Sequence, residues 1–103
     1  MKLKAAFIFL APEADSKIHQ STIDTPAVEL ITVGVKNYAE AECMAQELVN
    51  KGVKAIELCG GFGIEGVARV NKAVGGDVAV GVVRFENHPG LNFQSGDTLF
   101  LQA

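Results

Sequence analysis

Tryptophan is absent from this chain, tyrosine occurs once, and there are two cysteines and two histidines. Phenylalanine supplies six of the seven aromatic rings, so the core must be built mainly from aliphatic side chains. Cys43 and Cys59 fall in different predicted elements and form no Cys-x-x-Cys pair. That argues against a disulfide framework and suits the reduced cytoplasm. His19 and His88, with scattered carboxylates, have no metal-ligand spacing, so neither a metal nor another cofactor is expected. Basic runs are also missing. With 9 basic and 12 acidic side chains and a net charge of −3, nucleic acid is not an expected partner. The longest uncharged apolar run, Ala5 to Pro12, is far too short to span a bilayer, and no membrane association is expected. Lys2 and Lys4 precede that run as they would in a secretory signal. Glu13 and Asp15 then stand where a small-residue cleavage site belongs, so the run reads as a buried first strand.

What is present is an ordinary globular balance, 49% apolar and 20% charged, which argues against disorder. The length suits one domain over 1–103 with one modest core. Lys4 to Leu10 reads as a strand, apolar throughout as expected of a strand covered on both faces. Residues 11–27 lack periodicity and read as a long loop of the kind that often serves as a lid or binding loop, with room for a short helix around Ala14 to Gln20. Val28 to Val35 is a second strand. Asn37 reads as a helix N-cap with Glu40 three positions on, opening a helix that runs to about Asn50. Ala41, Met44, Ala45 and Leu48 form its apolar stripe, and Gly52 lies just past its end.

Val53 to Cys59 reads as a third strand and Gly60, Gly61 and Gly63 as a turn. A second helix is expected over roughly Ile64 to Val74, a fourth strand over Asp77 to Phe85, and a short edge strand within Thr98 to Gln102. The fold class is α/β. A small, mostly parallel sheet of four to five strands is joined by two main helices in the order β-loop-β-α-β-α-β. Two helices cannot cover both faces of such a sheet. A homo-oligomer, most simply a dimer, is therefore expected to bury the open face.

Ligands of parallel sheets gather beyond the carboxyl ends of the strands. There the chain places Gly60-Gly61-Phe62-Gly63 directly before a helix, with Lys36, Arg84, Glu86 and His88 at other strand ends. Small residues let a ligand approach the backbone, and a helix N-terminus favours an anion. A tight strand-to-helix turn without a ligand explains the glycines equally well. Neither the dinucleotide nor the P-loop fingerprint is complete. Arg84 is suited to grip a carboxylate or phosphate, or simply to pair with Glu86 or Glu57. Glu57 within a strand and His88 in the polar turn are the candidates for proton transfer.

On Ala5-Ala-Phe-Ile-Phe9, Cys59-Gly-Gly-Phe-Gly63 and Val80-Gly-Val-Val-Arg-Phe85, the chain resembles a family of small microbial α/β proteins of unknown function, which implies no activity. Locally, Glu47 to Leu58 is similar to a βα unit of phosphate-binding TIM barrels, especially keto-deoxy-phosphogluconate aldolase. That resemblance implies a proton-transfer role for Glu57. The aldolase also needs a Schiff-base lysine on a later strand, where this chain has Arg84, and the chain is less than half a barrel. Two functions are therefore expected in order. The first is binding of an anionic small molecule at the strand ends, with or without catalysis. The second is a non-catalytic interaction or structural role exercised through the oligomeric sheet face.

Overall fold

The structure is a computed structural model that describes residues 2–102. Five strands form one sheet in the order β2-β3-β1-β4-β5. Strand β1 (Leu3–Leu10) lies at the centre. It runs parallel to β3 (Val28–Val35) from Leu3 opposite Val28 to Leu10 opposite Val35, and parallel to β4 (Ala55–Leu58) from Ala5 opposite Ala55. Strand β5 (Ala79–Val82) adds in parallel beyond β4, and β2 (Gln20–Asp24) pairs antiparallel to the outer side of β3.

Helix α1 (Tyr38–Asn50) begins where its cap predicts. The Asn37 side chain accepts from the Glu40 amide at 2.8 Å, and the Glu40 carboxylate accepts from the Lys36 amide at 2.8 Å. One of the amides exposed at the start of the helix is thus satisfied by the cap, and the Glu40 side chain holds the residue that precedes the cap. Gly52, at φ +99°, turns the chain out of the helix in a conformation that strains any other residue. Helix α2 (Ile64–Val74) packs beside α1. The core lies between these helices and one sheet face. From the sheet it takes Ala6, Ile8, Val33, Val35, Ile56 and Leu58, and from the helices Tyr38, Met44, Leu48 and Val70.

Right-handed crossovers explain why both helices share a face. The connections from β3 to β4 (past β1) and from β4 to β5 step the same way across the sheet, so both helices land on one side. The step from β1 to β3 runs the opposite way, and a helical crossover there would cover the other side. Residues 11–27 instead form turns and the edge strand β2. The second face therefore carries no helix. It presents Phe7, Phe9, Leu30 and Ala55 half-buried, and Leu3, Ile23 and Glu57 exposed.

Several boundaries differ from expectation. No helix forms around Ala14 to Gln20, and the supposed loop contains β2. Its Gln20-Ser-Thr-Ile-Asp24 lies wholly exposed on a sheet edge and so lacks the apolar alternation that marks a half-buried strand. The segment around Thr98 to Gln102 is helical, not a strand. Ser95 accepts from the Asp97 amide at 3.1 Å and starts the short α3 (Gly96–Phe100). The apolar run of β1 reflects a central position in the sheet rather than cover on both faces.

Candidate functional site

The carboxyl end of β4 delivers Cys59 into the glycine turn. Its sulfur accepts from the amides of Leu10 and Gly61, each at 3.4 Å. Phe62 is fully buried, with its ring stacked on Tyr38 at 5.5 Å and 12° between planes, so it anchors the turn in the core. The N-terminus of α2 is occupied. Asp97, reaching back from α3, accepts from the Glu65 amide at 3.0 Å and the Gly66 amide at 3.2 Å. The Tyr38 hydroxyl accepts from the Gly63 amide at 2.9 Å and donates to Asp97 at 2.9 Å. The turn that invites an anion thus holds a carboxylate belonging to the chain itself. The glycines make room for this arrangement. A Cβ on Gly63 would fall 2.3 Å from Asp97 Cγ, and one on Gly60 would fall 2.0 Å from the Phe85 ring.

The other expected site residues are distributed around this end. Arg84 pairs with Glu86 at 3.0 Å and donates to the Phe85 carbonyl at 3.2 Å. Phe85 seats on Gly60, which brings the Arg84–Glu86 pair close to the turn. His88 accepts the Gly90 amide at Nδ1, 2.9 Å away, caps the turn Pro89–Leu91, and lies 4.9 Å from the Phe85 ring. Lys36 is exposed at the end of β3, two strands from β4 and so about 10 Å away across the sheet. Glu57 stands on the uncovered face, opposite Phe7 and Gly81 in register, whereas the N-terminus of α2 belongs to the helix side. Gly60 to Gly63, Arg84, Glu86 and His88 therefore gather at one end of the sheet, and Glu57 and Lys36 stand apart.

Residues 3–98 match the model of a family of unknown function. The chain belongs to that family, DUF6506. Neither the curated proteins nor the solved structures give a significant match. The local likeness to the TIM-barrel aldolases finds no support. The segment from Glu47 to Leu58 is the end of α1 followed by β4, in an open sheet with an antiparallel edge strand and the non-sequential order β2-β3-β1-β4-β5, which is not a segment of an all-parallel barrel wall.

For this DUF6506 member, sequence reading missed Tyr38 and Asp97. The Ser95-Gly-Asp97 start of α3, a capping serine with an acid in the first turn, was the available signal. Arg69 was also passed over. It forks onto Glu42 through Nε (3.1 Å) and a terminal nitrogen (2.9 Å), donates to the Leu101 carbonyl at 3.0 Å, and lies over the Tyr38 ring at 5.7 Å. It thereby ties α1, α2 and the end of the C-terminal segment together. Among the described residues no group of three histidines, cysteines or acids is placed to hold a metal ion, and no helix is long and apolar enough to cross a membrane.

Burial pushes the Tyr38 phenol above its usual value. The hydrogen bond from Gly63 opposes that shift, and the neighbouring Asp97 carboxylate adds to it. The folded chain therefore holds the Tyr38 proton more tightly than the unfolded chain does. This stabilisation is complete below the ordinary tyrosine value of about 10 and is lost as pH rises through the folded value. Urea denaturation at stepped pH should show a stability loss beginning near pH 10, beyond that of Tyr38→Phe. Parallel curves for the two proteins would contradict the raised phenol.

Proposed function

We propose that the protein is an interaction module that works through the uncovered face of its sheet, and that its partner there is a second copy of the chain. The supporting observation is topological. The one crossover able to place a helix on that face is replaced by β2, leaving Phe7, Phe9, Leu30, Leu3 and Ile23 on the surface. Five strands about 4.8 Å apart, with a mean length of about six residues, make a face roughly 20 Å by 20 Å. With side-chain relief, its area is of the order of the ~800 Å² per partner that a standard interface buries. Charge permits self-pairing about the β1–β3 half. Glu57 lies on β4, one strand from Phe7, so a two-fold axis running along the strands between β1 and β3 keeps the two copies of Glu57 apart, each toward the partner's edge strand β2. The alternative is an anionic metabolite bound at Gly60 to Gly63 by Arg84, with Glu57 or His88 moving protons. It ranks second because Asp97 would first have to leave.

Sedimentation equilibrium tests the interface. The wild-type chain should run at twice its monomer mass at tens of micromolar. Leu30→Arg, a buried charge at the centre of the contact, should weaken association at least 100-fold, or about 3 kcal/mol. Ile64→Arg, at an exposed position on the helix side, should leave the mass unchanged. A monomeric wild type, or dissociation by the helix-side variant alone, would overturn the proposal.

A further inference from the structure

We propose a ligand site separate from the glycine turn, at the carboxyl end of β1, that takes a small planar nitrogen heterocycle. Phe9 stands on the uncovered face near the carboxyl end of β1 and shares a hollow with Ala11 to Ala14 and His19 of the following connection, whereas the connections after β3 and β4 lead into helices on the other side. Two adjoining hollows of about 310 and 270 Å³ lie there, and both are lined by Phe9 and His19. Together they are of a size to admit one or two rings.

The lining is pre-set by backbone contacts. The tip of the Phe9 ring rests over Gly34, where a Cβ would fall 2.7 Å from Cζ, so the ring is held as a platform. His19 Nδ1 accepts the Asp15 amide at 2.9 Å, and the His19 carbonyl accepts the Gly34 amide at 2.8 Å. With Nδ1 used as an acceptor, the ring proton sits on Nε2 and is available as a donor. Glu13 lines the smaller hollow and holds a left-handed backbone at φ +64°, an uncommon conformation for a non-glycine residue. A heterocycle stacked on Phe9 can accept from His19 Nε2 and donate an N–H to Glu13. Glu13 and Asp15 disfavour an anionic ring. Phe9, Ser21 and Thr32 also belong to the uncovered face, so a ligand here and a second copy there compete for one surface, and the titration uses the Leu30→Arg chain, whose substitution lies outside the lining.

The test is titration of isotope-labelled protein with adenine, following the aromatic signals of Phe9 and His19. The expected result is saturable shifts at both, with a dissociation constant between about 0.1 and 5 mM. Phe9→Leu and His19→Asn should each weaken binding about tenfold. The asparagine can still accept the Asp15 amide, so that variant removes the Nε2 donor while keeping the loop anchored. Cyclohexanol, neutral and similar in size to a six-membered ring but not planar, should bind at least tenfold more weakly. No saturable shift at Phe9 and His19 up to about 5 mM adenine, or equal binding of cyclohexanol, would overturn the proposal.

Discussion

Asp97→Ala should lower folding stability by about 3 kcal/mol, a fall in midpoint of roughly 15 °C for a domain of this size. The side chain links three donors, and among the described residues no other group accepts from all three. The amides of Glu65 and Gly66 point out of the first turn of α2, and the Tyr38 hydroxyl comes from α1. Removing it leaves the start of α2 to water and the Tyr38 hydroxyl without its acceptor. Hydrogen bonds to a charged group are worth about 1.5–3 kcal/mol each, and because half-exposure lets water replace part of what is lost, the expected total falls below their sum. Asp97→Asn keeps one acceptor oxygen without the charge and should lose about half as much. In a double-mutant cycle, Asp97→Ala and Tyr38→Phe should couple by about 1 kcal/mol, since each removes a partner of the other. Chemical denaturation of the four proteins gives the number. A loss below about 1 kcal/mol for Asp97→Ala would mean that water caps α2 as well as the carboxylate does.

The second large effect belongs to Gly96→Ala. A Cβ at this position would lie 1.9 Å from the Gly61 carbonyl oxygen and 2.7 Å from the Tyr38 hydroxyl. The first obstacle is backbone within a buried turn, so it cannot swing aside as a flexible side chain would. The cheapest relief is to lift α3 away, and that forfeits the Asp97 bonds as well. We expect a loss of about 3 kcal/mol and new proteolytic cleavage within residues 96–101. Gly76→Ala provides the comparison. Nothing lies within 4 Å of its added Cβ, and stability should stay within about 0.5 kcal/mol of wild type. If Gly96→Ala is equally mild, α3 is not seated on the turn.

Periodicity made α1 legible because its stripe of Ala41, Met44, Ala45 and Leu48 and its Asn37 cap are local signals that agree with one another. The parallel direction of β3, β4 and β5 followed from the strand–helix–strand rhythm, whereas the insertion of β1 between β3 and β4 did not. Two things were hidden, each for a physical reason. Strand β2 is held in place by its backbone pairing to β3, so its side chains carry no apolar pattern to read. The filling of the glycine turn depends on Asp97, more than thirty residues downstream in sequence, and on Tyr38, more than twenty upstream. No spacing rule links them. The sequence therefore pointed to where an anion would be welcome without indicating that the chain supplies one. Glu57 was correctly placed in a strand. The face it occupies depended on the register with β1, which sequence leaves open.

The central place of β1 also bears on the order in which the protein can fold. Made first, this strand is flanked by two strands made later, and its second neighbour is complete only once Leu58 has been synthesised. Until then Ala6 and Ile8 have a β3 partner on one side and an open ladder on the other. A nascent chain that has not yet reached Leu58 must therefore carry an unpaired, apolar strand edge, the kind of surface that chaperones shield and that aggregates recruit. The start of α2 waits longer still. It stays uncapped until Asp97 arrives, which makes docking of α3 the closing event in assembly of this end of the molecule.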